Sequence, residues 1–91
     1  MHAVVVKVSI QDEEPSHAYL RENIVPRVSQ APGFVAGYWV RRDGGDEGNS
    51  VVVFESEDAA RAAVDRLREG IDSNPGVTLE DASVGEVVAN A

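Results

Sequence analysis

Consecutive apolar residues in two short segments limit the possible folds of this chain more than any other feature. The segments are residues 3–10 (AVVVKVSI) and residues 50–55 (SVVVFE), and β-branched residues dominate both, which is typical of strands. Successive side chains on a strand point to opposite faces of the sheet. The second segment is apolar on both faces, whereas in the first the even positions are all apolar and the odd positions are mixed. The sequence therefore predicts a sheet that needs cover on both faces.

Helical periodicity follows each of these strands. In the first predicted helix, the apolar residues recur at helical spacing: Leu20, Ile24 and Val28. Pro26 cannot donate a backbone hydrogen bond to the Glu22 carbonyl, so this helix is expected to kink or end near that residue. The second predicted helix begins after Ser56, which can cap it, and ends near Gly70. One side of the second helix is lined by Ala60, Val64, Leu67 and Ile71.

Two further strands complete the pattern. Residues 34–42 alternate as a strand, and the polar, glycine-rich residues 43–49 predict a hairpin loop after it. After a turn at residues 74–76, residues 77–91 predict a long last strand. Its apolar alternation changes register between two pairs of residues, Val77 with Leu79 and Val84 with Val88. This change predicts a bulge or bend around residues 81–85.

The order of elements is strand, helix, strand, strand, helix, strand, in one domain spanning residues 1–91. Right-handed crossovers place both helices on the same face of a four-stranded antiparallel sheet, which is an α+β, ferredoxin-like βαββαβ fold. The other face is then an unusually large apolar patch for a monomer. A second copy packed sheet to sheet covers it, so we expect a homodimer that closes into an α/β barrel. The residues expected at this interface are Val5, Val35, Trp39, Val51 and Val53.

The segment APGFVAGYWVRR (residues 31–42) contains the only tryptophan of the chain and one of its two tyrosines. Strict alternation from Phe34 puts Tyr38 on the face that meets the helices and Trp39 on the face that meets the second subunit. Trp39 is thus expected to anchor the dimer. Phe34 and Tyr38 are expected to line a ligand pocket on the helix side, with ordinary core packing as the alternative.

Composition and charge exclude several classes of function. Sixteen acidic residues against eight Lys and Arg give a net charge of −8, which disfavours nucleic acid as a partner. The chain has no cysteine, and hence no disulfide and no cysteine-based metal site. No apolar run is long enough to span a bilayer, and the first residues lack a signal-peptide pattern. We therefore expect no membrane partner and a cytoplasmic location.

Few residues are candidates for a catalytic role. His2 opens the chain, whereas His17 lies three residues before Leu20 and can share the inward face of the first helix. There His17 acts as a general base or is simply a partly exposed residue at the start of the helix. No spacing of histidines and carboxylates indicates a metal site. The candidates for catalysis are accordingly His17 and Tyr38.

Three sequence features together resemble a known family. They are PGF leading into the second strand, FES at the end of the third strand, and the alanine-rich helix EDAARAAVDRL that follows (residues 57–67). With the proline-bearing first helix, this pattern is similar to the dimeric α/β-barrel superfamily, and within it to the antibiotic biosynthesis monooxygenase-like domains. The resemblance implies a homodimer with a substrate pocket between the sheet and the helices.

Enzymes of this superfamily oxygenate polyketide quinols or degrade haem, often without a metal or flavin of their own. The resemblance therefore implies a small apolar, aromatic or quinol-like ligand and no cofactor. Residues 3–10 lack the asparagine of the haem-degrading members, and Ala63 stands near the position of their helical tryptophan, which disfavours haem degradation. Two functions stay open: a cofactor-independent, monooxygenase-like oxidoreductase and a non-catalytic dimeric binding or accessory protein. A pocket beneath the alanine-rich helix would favour the first.

Overall fold

One antiparallel sheet of four strands carries helical segments on one of its faces. The computed structural model describes residues 1–70 and 75–91, and the strands lie in the order β2-β3-β1-β4. The predicted α+β, ferredoxin-like fold is thereby confirmed. In chain order the elements are β1 (His2–Ile10), α1 (Glu13–Tyr19), a π-helical segment (Leu20–Ile24), α2 (Val25–Ser29), β2 (Phe34–Arg41), β3 (Glu47–Phe54), α3 (Glu57–Gly70) and β4 (Val77–Glu86).

The first helical stretch changes geometry in its middle, as expected from its proline. The backbone N–H of Val25 donates to the carbonyl of Leu20, five residues earlier, which is the π-helical pattern. Pro26 has no N–H for the Glu22 carbonyl, so a regular α-helical ladder cannot run through this point. Such single π-turns inside helices are frequent at functional sites.

The helix that follows β3, α3, begins at a side-chain cap. The backbone N–H of Ala59 donates to the Ser56 hydroxyl at 3.2 Å, which satisfies one of the free donors of the first turn. Ala60 and Val64 are buried against the sheet, and Leu67 is half-buried beside them. Ile71, predicted on the same side, and Asn74, in the predicted turn, lie outside the described residues.

The core lies between the sheet and the helices. Phe54 at the end of β3 is fully buried, and the aromatic ring of Phe34 meets it edge to face, with ring centroids 6.3 Å apart. This geometry is favourable for paired aromatic rings. The buried apolar residues of the core are Val4, Val6, Val52, Phe54, Ala60, Val64 and Ala82.

A bulge near the start of β2 changes which side chains face the helices. Phe34 pairs with Phe54 of β3, but Ala36 pairs with Val53, so Val35 is an extra residue without a partner in the ladder. The side-chain alternation restarts after such an extra residue. Every later residue of β2 therefore lies on the face opposite to the one that strict alternation predicts.

This bulge makes the predicted orientation of the two aromatic residues wrong. Trp39 pairs with Ser50, which also pairs with the core residue Val6, and Trp39 packs against the core on the helix side. Tyr38 pairs with Val51 on the opposite face and is 68% exposed. Directly paired residues share a face of the sheet, so Trp39 faces the helices and Tyr38 faces away from them.

The last strand also contains an extra residue. Lys7 of β1 pairs with Asp81, but Val8 pairs with Leu79, which leaves Glu80 without a partner. The predicted bulge is thus present just before the expected residues 81–85, and it brings Leu79 and Val84 to the same face. The strand ends at Glu86, five residues before the expected end.

Candidate functional site

A cavity of about 490 Å³ lies between the sheet and the helices. It forms because α3 packs over β1, β4 and β3, whereas α2 packs on β2 at the far edge of the sheet. The gap between the two helices is walled mainly by apolar side chains, which is the usual composition of a small-molecule site. The apolar lining residues include Val6, Val8, Ile10, Leu20, Ile24, Val28, Trp39, Phe54, Ala63 and Leu67.

The floor of the cavity is shaped by a glycine beneath the tryptophan. A Cβ atom at Gly37 would lie 2.9 Å from Cη2 and 3.0 Å from Cζ3 of Trp39. The indole ring therefore lies across the bare backbone of Gly37, an approach that a side chain at this position would block. As a result, the largest aromatic surface of the chain borders the cavity.

Two buried hydroxyl groups border the same space. The Ser16 hydroxyl donates to the Glu13 carbonyl at 3.0 Å. Ser50 is 9% exposed, and no protein group within the part of the chain that the structure describes hydrogen-bonds its hydroxyl. A buried polar group without a partner is unfavourable, so a hydrogen-bonding group of a ligand at this point would remove that cost.

Charged side chains surround the mouth of the cavity. Arg41 at the end of β2 donates to the Glu13 carboxylate at 3.2 Å, across to the start of α1. Arg27 of α2, Arg66 of α3 and Glu69 of α3 also line the cavity. The mouth is therefore polar while the interior is apolar.

Only some of the residues predicted for the site border this cavity. His17 does so, from α1. Phe34 lies in the core against Phe54 and is not among the lining residues. Tyr38 lies on the uncovered face of the sheet, so it cannot line a pocket on the helix side.

Four residues that line the cavity could not be assigned to it from the sequence: Trp39, Ser50, Arg27 and Arg66. Strict alternation predicts the wrong face for Trp39, and the sequence around Ser50 indicates only the start of a strand. The one available signal was Gly37, because a glycine inside a strand often marks a close approach. The positions of Arg27 and Arg66 depend on how the helices diverge, which the helical periodicity alone does not specify.

The sheet face opposite the helices, called here the open face, presents apolar side chains to solvent. Val5 is 45% exposed and Val51 41% exposed, and Tyr38 and Val40 are exposed beside them. Val35, at the bulge, is 46% exposed, and Val53 is half-buried. Of the five residues predicted at a dimer interface, Trp39 alone faces the helices instead.

Other electrostatic features lie away from the cavity. A hydrogen bond from Arg61, together with its positive charge, lowers the pKa of Glu57 at the start of α3. Among residues 1–70 and 75–91, no group of three His, Asp or Glu residues is placed to hold a metal ion. None of the described helices is long and apolar enough to cross a membrane.

Solved structures match the chain over nearly its whole length. SnoaB, a cofactor-independent oxygenase from Streptomyces nogalater, has a TM-score of 0.75 at 16% identity, covering 98% of this chain and 94% of SnoaB. A Deinococcus radiodurans protein assigned as an antibiotic biosynthesis monooxygenase has a TM-score of 0.66 at 15% identity, covering 100% and 99%. A dimeric ferredoxin-like protein from an uncultured marine organism has a TM-score of 0.63 at 11% identity, covering 100% and 98%.

These matches confirm the predicted resemblance to antibiotic biosynthesis monooxygenase-like proteins at the level of the fold. No protein-family model and no curated protein matches the sequence.

Proposed function

We propose that this chain forms a homodimer in which each subunit binds a small, planar aromatic molecule between sheet and helices and oxygenates a quinol-like substrate there. The observation that carries this proposal is the cavity of about 490 Å³ beside Trp39. Its apolar walls suit an aromatic body, since burying apolar surface is the main source of affinity. The indole of Trp39 can stack on a planar ligand. The similar fold of SnoaB, a cofactor-independent oxygenase, supports the choice of reaction.

In the proposed reaction the substrate provides the electrons that reduce dioxygen. Taking naphthalene-1,4-diol as a probe, one diol and one O₂ give one 2-hydroxy-1,4-naphthoquinone and one water. A C–O bond forms at ring carbon 2 and the O–O bond breaks. The ring hydrogen at this carbon and the hydroxyl hydrogens are redistributed between the new hydroxyl group and water. The quinol is oxidised and O₂ is reduced, so the atoms and electrons balance without a further reductant.

The side chains at the cavity have distinct tasks in this proposal. The His17 imidazole accepts a phenolic proton, because an ionised quinol transfers electrons to O₂ more readily than the neutral form. The Ser50 hydroxyl, buried and without a protein partner among the described residues, donates to a quinol oxygen and fixes the ring. Trp39 stacks on the ring, and the apolar walls limit the access of water to the reactive anion.

The experiment that tests this function measures the transfer of isotopically labelled dioxygen into naphthalene-1,4-diol. We expect labelled 2-hydroxy-1,4-naphthoquinone at a rate above that of the same solution without protein. His17→Gln should lower kcat about a hundredfold, the lower range for losing a general base. His2→Gln, a matched change at the start of β1 and outside the cavity, should leave kcat unchanged.

Two outcomes would count against the proposal. Labelled product that forms equally fast without protein would contradict an oxygenase function. Binding of the diol without labelled product would favour the non-catalytic binding protein instead.

The homodimer in this proposal rests on the open face. Four exposed side chains of β1, β2 and β3 form an apolar surface there, which a monomer rarely leaves in water: Val5, Tyr38, Val40 and Val51. A second copy packed on this face would bury it by an interface that is the same on both subunits. A protein of similar fold is a dimeric ferredoxin-like protein, which supports the same arrangement. In this arrangement Tyr38, rather than Trp39, is the aromatic residue of the interface.

A further inference from the structure

We infer that the ligand of the cavity carries an anionic oxygen group, such as a carboxylate, which Arg27 and Arg66 bind together at the cavity mouth. This inference rests on the proposed function, because it concerns the same cavity. It narrows the ligand class from planar aromatic molecules in general to those that bear one acidic group at an edge.

Arg27 and Arg66 both line the cavity while remaining exposed to solvent. Arg27 neighbours Val28 on α2, and Arg66 neighbours Leu67 on α3, and all four residues line the cavity. Since α2 packs on β2 and α3 packs over β1, β4 and β3, the two helices border the cavity from different sides. Each helix therefore contributes one arginine to the lining of the same cavity.

Neither of these guanidinium groups has an acidic partner among the residues that the structure describes. Within residues 1–70 and 75–91, no carboxylate lies within 4.0 Å of Arg27 or Arg66, whereas Arg41 at the same mouth pairs with Glu13. Acids outnumber Lys and Arg by two to one in the whole chain, so an unpaired arginine is not explained by a shortage of carboxylates. The cavity therefore has two cationic groups available for a ligand.

The other charged side chains at the mouth do not cancel the positive charge of Arg27 and Arg66. Glu69 lines the cavity but forms no ion pair with either arginine. With Arg41 and Glu13 neutralising each other, the mouth keeps an excess of positive charge. This excess attracts an anion, with a strength that solvent reduces because both arginines are exposed. The planar guanidinium group also matches a carboxylate through two parallel hydrogen bonds.

The experiment compares two fluorescent probes with the same aromatic body. 8-Anilinonaphthalene-1-sulfonate carries an anionic group, and N-phenyl-1-naphthylamine lacks it; both become fluorescent in apolar sites. Each probe is titrated into the full chain, the double variant Arg27→Gln/Arg66→Gln, and the control Arg21→Gln/Arg61→Gln. The control changes the net charge equally, but its positions do not line the cavity.

We expect the cavity double variant to bind the sulfonate probe about tenfold more weakly than the unmodified chain does, as removal of two charge-assisted contacts at a partly exposed site implies. Its affinity for the uncharged probe should change less than about twofold, which also shows that the variant remains folded. The control should bind both probes as the unmodified chain does. Raising the salt concentration from about 0.05 M to about 0.5 M should weaken the binding of the sulfonate probe and leave the binding of the uncharged probe unchanged.

Four results would overturn the inference. Equal losses for both probes would mean that the arginines only shape the cavity. An unchanged affinity for the sulfonate probe would mean that they do not bind anions. If neither probe binds the unmodified chain, both this inference and the proposed binding function fail. If the uncharged probe binds and the charged probe binds no better, only this inference fails.

Discussion

Gly37 determines where the indole of Trp39, which lines the cavity, can lie. An added methyl group at this position would approach two ring atoms of Trp39 to 3.0 Å or less, closer than carbon atoms pack without displacement. The contact is with the far end of a side chain and not with backbone. The ring can therefore move, and the space open to it is the cavity.

We predict that Gly37→Ala displaces the Trp39 ring toward the cavity and weakens binding of N-phenyl-1-naphthylamine severalfold. Trp39 is the only tryptophan, so its fluorescence emission maximum should shift at the same time. Gly85→Ala is the matched change, because a methyl group at Gly85 of β4 meets nothing within 4 Å. If both variants bind the probe equally well, Gly37 does not control the cavity.

At the scale of elements, the first turns of α3 carry an exposed ion pair between residues four positions apart. Arg61 donates to the Glu57 carboxylate at 2.8 Å, and this contact lowers the pKa of Glu57 below its ordinary value. A carboxylate whose pKa is lower in the folded state stabilises the fold at pH values above its unfolded pKa. This contribution is lost as the pH falls through the folded pKa.

We predict that Arg61→Gln raises the pKa of Glu57 toward the ordinary value of a glutamate. An NMR titration of the side-chain carboxyl carbon measures this change directly. Arg66→Gln serves as the comparison on the same helix, because Arg66 does not contact Glu57. An unchanged pKa in Arg61→Gln would show that the ion pair does not form in solution.

The elements themselves were predictable because each leaves a local pattern in the sequence. Apolar periodicity indicated the strands and helices, Ser56 indicated the cap of α3, and Pro26 indicated the irregular first helix. The bulge at Val35 leaves no such pattern. It is defined by which residue of β3 lies opposite, and that pairing depends on contacts between distant parts of the chain. The orientation of Trp39, and with it the main wall of the cavity, could not be derived locally for this reason.

At the scale of the whole molecule, the open face predicts the state of association. Val51 lies near the middle of this face and is 41% exposed in the single chain. We predict that the unmodified chain has the mass of two subunits by light scattering, and that Val51→Lys has the mass of one. A lysine here costs the isolated subunit little, because its ammonium group can reach solvent, but it would be buried and unpaired in the dimer.

The control for this prediction is Val88→Lys, which introduces the same charge at a residue beyond β4 that is 88% exposed. It should keep the mass of two subunits. A single-subunit mass for the unmodified chain at micromolar concentration would refute the dimer, and would leave the apolar open face in need of another partner.

The unpaired Val35 also has a consequence for how proteins of this kind can diverge. Removing one codon near this position would turn over the rest of β2, because side chains alternate with a period of two. Tyr38 would then point into the cavity and Trp39 toward the open face. A point mutation alters one face of a strand, whereas this single in-frame deletion would change the side chains at the cavity and those on the open face together. The start of β2 is thus a place where one genetic event can change both the cavity and the open face of the sheet.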